Sequence, residues 1–146
     1  MNVYIDTNVI IDLLAKREPF YNDALNLFSK IAQQKRLVAF TSVKSMTDVY
    51  YIMRRSFHDE IMARKTMAKL ISLLYVADNT DIDLLKSFSC KTKDLEDALI
   101  SQLAYRMKLD YIVTRNKKDF DSTVVKAVSV RDFLEMLELP ELDADR

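Results

Sequence analysis

Short apolar runs alternate with longer amphipathic ones along almost the whole chain, and that alternation constrains the fold most. Strand-like runs occupy residues 2–5 (NVYI), 37–41 (LVAFT), 75–78 (YVAD), 111–114 (YIVT) and 124–130 (VVKAVSV). Helical patterns fill the intervals at 7–17, 20–36, 42–55, 58–74, 80–88 and 91–109, with a last one at 130–138. In the second, Ala24, Leu25, Leu27, Phe28, Ile31 and Ala32 make one apolar face; in the sixth, Leu95, Leu99, Leu103 and Met107 recur every four residues. Apolar strands separated by helices predict a mainly parallel sheet covered on both faces, because a parallel connection must cross over the sheet. The right-handed crossover rule makes this a three-layer α/β/α sandwich.

Composition sets the scale. The chain has 146 residues, 49% of them hydrophobic, which is enough for one domain with its own core. We expect that domain at residues 1–139, with a short acidic tail at 140–146. Lys plus Arg balance Asp plus Glu at 22 each, so no global basic field draws nucleic acid; such a partner needs local lysines or bound cations. Cys90 is the only cysteine, so no intrachain disulfide forms, and a reducing cytoplasm is the expected setting. Asp6 and Asp12 interrupt the early apolar run, so no signal peptide and no membrane span are expected. Glycine is absent. Phosphate-binding P-loops and dinucleotide turns need glycine for close backbone approach, so both are excluded and phosphate chemistry has to run through side chains and metal.

In open parallel sheets, functional groups gather at the carboxyl ends of strands. Asp6 ends the first strand; Asp48 lies on the helix after the second, beside the apolar positions Val49, Ile52 and Met53. Asp94 and Asp97 open the helix before the fourth strand and share a face, while Asn116 and Asp119 follow that strand. Carboxylates converging on one cleft stay ionised only with cations among them, and hard oxygen donors suit Mg²⁺ or Mn²⁺. Each acid also has a plainer use: Asp6 and Asp94 as helix caps, Asp48 as a solvated helix acid, Asp119 as a loop residue. His58, the only histidine, has no second ligand-type residue near it and is expected at the surface or as a cap; Tyr50, Tyr51 and Met53 are expected in the core or at a dimer contact.

The segments VYIDTNVIIDLL, SVKSMTDVYYIM, DLEDALISQLA and DYIVTRNKKDF, in this order, resemble the PIN domain, over residues 2 to about 135. PIN domains are metal-dependent ribonucleases, and many are toxins of type II toxin–antitoxin pairs. The resemblance implies that Asp6, Asp48, Asp97 and Asp119 are the acids of the catalytic centre and bind Mg²⁺ or Mn²⁺ together with Asn116. It implies that Thr7, Asn8, Asp94 and Thr114 orient the acids and water, and that Arg115, Lys117 and Lys118 hold the RNA backbone. Hydrolysis of an RNA phosphodiester, a protein antitoxin and a homodimer follow from the same likeness. One departure stands out: the second acid is usually Glu, and here it is Asp48, one methylene shorter.

Two other readings stay open. One is a PIN-fold module that binds nucleic acid or protein without catalysis, motivated by Asp48 and by the split between Asn116 and Asp119. The other is an aspartyl-phosphate phosphatase, since Asp6 ends a first strand; Asn8 stands where those enzymes carry a second Asp and argues against it.

Overall fold

The computed structural model describes residues 1–139, so the expected acidic tail at 140–146 lies outside the described residues. The elements run β1 (Asn2–Ile5), α1 (Thr7–Leu14), α2 (Tyr21–Gln33), β2 (Val38–Ser42), α3 (Val43–Phe57), α4 (Glu60–Ile71), β3 (Tyr75–Ala77), α5 (Asp81–Ser87), α6 (Leu95–Arg106), β4 (Tyr111–Val113), a 3₁₀ turn (Lys117–Phe120), β5 (Lys126–Val128) and α7 (Val130–Glu138). The sheet has five strands in the order β3-β2-β1-β4-β5, and every pairing is parallel. The expected three-layer α/β/α sandwich is therefore present. β1 is the central strand, with Val3 opposite both Ala39 and Tyr111.

The two faces of the sheet carry separate cores, as the alternation of strand side chains requires. Val3, Ile5 and Val113 point to one side, against Val9, Ile10, Leu27, Val49, Met53 and Phe133 from the helices that cover it. Tyr4 and Ile112 point to the other, against Ile100, Leu103, Ala104 and Phe120. The chain moves outward from β1 to β2 and β3, then returns to β4 on the other flank of β1. That reversal opens a crevice at the carboxyl ends of β1 and β4.

Helix α6 departs from its expected face. Its buried residues are Ala98, Ile100, Ser101, Leu103 and Ala104, while Leu95 is 46% exposed. A helix turns once per 3.6 residues, so a series spaced by four drifts by roughly 40° at each step; the stripe starts outside at Leu95 and reaches the core at Leu103. Helix α4 likewise buries Ala63, Met67 and Leu70 but leaves Ile61, Met62 and Ile71 outside. Tyr51 is exposed while Met53 is fully buried.

The lack of glycine leaves a mark at helix ends. Lys16, His58 and Lys108 take left-handed φ values of 51°, 51° and 54° where α1, α3 and α6 stop. All three side chains are exposed, and His58 is a surface cap as expected. A Cβ in this region costs about 1–2 kcal/mol that glycine avoids. Replacing the three with Gly together is expected to stabilise the fold by about 0.5–1 kcal/mol per site, after the loss of backbone entropy, read as a higher urea midpoint. A lower midpoint would mean that these side chains hold contacts worth more than the strain.

Candidate active site

Asp6 sits at the mouth of the crevice and is 7% exposed. Its backbone N–H is tied to the carbonyl of Val113 at 3.0 Å, which fixes it against the end of β4. One carboxylate oxygen accepts from the Thr7 N–H at 2.7 Å, making Asp6 the N-cap of α1; the other accepts from the Thr114 hydroxyl at 2.7 Å. Thr114 is fully buried, and its Oγ1 also accepts from the Asn116 N–H at 3.1 Å. Asp6 thus caps a helix and at the same time faces the crevice. Burial raises its pKa, the Thr114 and Thr7 bonds oppose that rise, and the charge of Asp119 adds to it.

Asp97 stands in the first turn of α6, one residue before the buried Ala98. Its carboxyl is pushed up to about 7, first by burial and then by the charges of Asp6, Asp94, Asp119 and Glu96. The charges of Asp6 and Asp119 thus both act on Asp97, and that of Asp119 acts on Asp6. Asp94 caps α6, accepting from the N–H groups of Glu96 at 2.8 Å and Asp97 at 3.2 Å, so it sets the direction of that first turn. The loop after β4 closes into the 3₁₀ turn through a bond from the Asp119 N–H to the Asn116 carbonyl at 3.0 Å, and the charge of Asp119 acts on both Asp6 and Asp97.

Asp48 belongs to a different set of contacts. Its carboxylate accepts a short hydrogen bond from the Lys44 ammonium, one turn earlier on α3. Lys44 Nζ also lies 3.4 Å from Glu96 Oε2 on α6. Burial and Asp48 raise the Glu96 carboxyl, and Lys44 pulls against them. Thr7, Lys44, Asp48, Tyr51, Ile52, Arg55 and Glu96 line an open groove of about 360 Å³. Thr7 joins this groove to Asp6, and its buried Oγ1 has no hydrogen-bond partner. Sequence reasoning missed Lys44 and Glu96. The run of three acids in Asp94-Leu95-Glu96-Asp97 was the available signal for Glu96; the i,i+4 spacing to Asp48 was the signal for Lys44.

The basic residues after β4 divide. Arg115 lies over the Phe20 ring at 4.3 Å and pairs with the buried Asp12 at 3.3 Å, while its backbone N–H donates to Asn8 Oδ1 at 3.3 Å. Lys117 pairs with Asp132 at 3.0 Å on the surface. Lys118 is exposed, with no carboxylate partner among the described residues.

The donors around the crevice are carboxylate, amide and hydroxyl oxygens. Among the described residues no three His, Cys, Asp or Glu side chains are drawn together closely enough to enclose an ion as they stand. The chemistry still fits a hard divalent cation. Burial and the surrounding acids disfavour the charged form of Asp97, which a cation would restore, and among the described residues the buried hydroxyl of Thr7, next in sequence to Asp6, has no hydrogen-bond partner.

A family model described as the PIN domain matches residues 2–118, most of the chain. The chain belongs to the PIN domain family. Solved structures agree with the fold of this PIN domain. The Rickettsia felis VapBC2 complex bound to a promoter DNA fragment aligns with a TM-score of 0.67 at 17% identity, over 88% of this chain and 98% of that one. A toxin–antitoxin complex from Klebsiella pneumoniae gives 0.64 at 22% identity, over 88% and 97%. The Mycobacterium tuberculosis VapC20, a toxin that cleaves the sarcin–ricin loop, gives 0.61 at 14% identity, over 75% and 86%. No curated protein sequence matches the chain. Among the described residues no helix is long and apolar enough to cross a membrane.

Proposed function

We propose that this PIN domain is a Mg²⁺- or Mn²⁺-dependent endoribonuclease, the toxin of a type II toxin–antitoxin pair. What supports the reading is the position of Asp6 at the end of β1 and of Asp97 in the first turn of α6, with Asp97 pushed up to about 7 by burial first and then by the charges of Asp6, Asp94, Asp119 and Glu96. When bound, a divalent ion supplies activated water and charge stabilisation for in-line displacement at phosphorus. Asp6, Asp97 and Asp119 would hold the ion, with Asn116 in the loop after β4 as a further oxygen donor, while Asp48 on α3 is engaged by Lys44. Thr7 and Thr114 fix the two oxygens of Asp6, Asp94 fixes the turn that carries Asp97, and Asn8 holds the backbone of the loop at Arg115. Lys118, exposed and without a carboxylate partner among the described residues, is placed to take a backbone phosphate. Lys117 joins it by leaving its exposed pair with Asp132, while Arg115 serves through the loop it anchors.

RNA as substrate and an antitoxin as partner rest on likeness to the VapC structures. The exposed Ile61, Met62, Leu85 and Phe88 on and beside α4 and α5 offer apolar faces for an antitoxin and for a second copy of the chain. Purified protein is expected to cleave labelled RNA hairpins in millimolar Mg²⁺ or Mn²⁺, and EDTA is expected to stop it. Intact RNA after prolonged incubation of folded, metal-loaded protein would count against the reading. A binding module without catalysis is the second reading, favoured by the Lys44–Asp48 pair, which engages one of the acids.

A further inference from the structure

The carboxylates of this site fall into two sets, and the sets differ in how their charge is met. Among the described residues Asp6, Asp97 and Asp119 have no ion-pair partner in contact, and the one cation that acts on Asp6, Arg115, is paired with Asp12. Asp48 and Glu96 come from different helices, α3 and α6, and are bridged by one ammonium, Lys44 Nζ. A second divalent ion in a two-metal site would bridge carboxylates from facing elements in the same manner. Lys44 is well placed to stand in for it. The i,i+4 spacing seats it over Asp48 without strain, and its stem rises from the first turn of α3 beside the groove. Asp48 carries the shorter of the two acidic side chains, and Lys44 spans the gap that this leaves toward α6.

We propose that the Lys44 ammonium occupies the position of a second cation, so that this site takes one divalent ion, at Asp6, Asp97 and Asp119, and not two. The inference rests on the metal-site reading above and narrows it. Lys44 is a positioning and specificity residue: it neutralises Asp48 and Glu96 and holds the start of α6, with Asp97 in its first turn, against α3. A compact ammonium does this with three donors, and a divalent ion enters only if the ammonium leaves.

Calorimetric titration with Mn²⁺ alone, on metal-stripped protein, reads the number of ions directly. The unmodified chain is expected to bind one Mn²⁺. Lys44→Met keeps the stem that lines the groove and removes the charge; it is expected to bind two. Lys44→Met with Asp48→Asn is expected to return to one, and Lys44→Arg to stay at one. Since Lys44 is half exposed, these variants are expected to keep the circular dichroism spectrum of the parent. Two ions on the unmodified chain would overturn the inference and leave the metal site standing. One ion on both the unmodified chain and Lys44→Met would overturn it too, because Asp48 and Glu96 would then have no use for a cation. No ion on the unmodified chain would remove the metal site itself, and the Lys44 assignment with it.

Discussion

Asp6→Asn is expected to lower metal-dependent RNA cleavage by at least about 100-fold in a protein that stays folded, equivalent to losing about 2.7 kcal/mol of transition-state stabilisation. The substitution isolates the charge. An amide oxygen still accepts from the Thr7 N–H, and asparagine caps helices as well as aspartate does. The amide nitrogen can donate to the Thr114 hydroxyl, which turns to receive it. What disappears is the anion at the mouth of the crevice. That anion is also the largest of the charges acting on Asp97, so its removal lowers the repulsion within the metal-free site. The account therefore makes a two-sided prediction: the variant loses cleavage and metal binding, yet its metal-free form melts at the same temperature as the parent or higher. A variant that melts lower and cleaves normally would place Asp6 as a structural cap alone.

Arg106→Ala is expected to destabilise the fold by about 2–3 kcal/mol, toward the lower end for removing one partner of a buried ion pair because the guanidinium itself is partly exposed. Asp83 on α5 is 2% exposed and is gripped by Arg106 Nε at 3.0 and 3.1 Å and by Nη2 at 2.9 Å. Nη2 also donates to the Asp78 carbonyl at 2.7 Å. Without Arg106 the carboxylate keeps only the Thr80 N–H and the cap it makes there. Burial alone would raise the Asp83 pKa, but Arg106 and Thr80 outweigh it and hold the carboxyl below the usual range. A depressed folded-state pKa contributes stability that is fully present above the unfolded value, about 3.9, and is lost as pH falls through the folded one. Urea denaturation is thus expected to separate parent and variant widely at pH 7, with the gap narrowing as pH falls below the unfolded value, about 3.9, and through the depressed folded-state one. Curves that coincide at pH 7 would show that the pair adds nothing to stability.

The layers of this fold were legible because the chain alternates period-two and period-3.6 patterns, and five parallel strands between helices admit few arrangements. Positions that depend on one element meeting another were harder to read. The leucines of α6 were visible, but the drift of a four-residue series took Leu95 off the core while Leu103 stayed on it, and Ala98, Ile100, Ser101 and Ala104 completed the inner face. The apolar count of α4 gave no sign that Ile61 and Met62 would stay outside. The positions of Asp6 after β1 and of Asp97 in the first turn of α6 could be read from a strand end and a helix start. The Lys44 bridge could not, because it exists only where α3 and α6 come together across the ends of the sheet. Arg115 shows the same limit: its basic charge suggested RNA, while the fold stacks it on Phe20 and pairs it with Asp12.

Mn²⁺ calorimetry of the unmodified, chelator-treated protein reads directly whether Asp6, Asp97 and Asp119 bind a divalent ion. Asp97 has to give up its proton to become a ligand, so a proton competes with the ion. The account predicts saturable binding at pH 8 that weakens as pH falls through about 7, and that is absent in Asp6→Asn. No binding at millimolar Mn²⁺, or equal binding by Asp6→Asn, would contradict it.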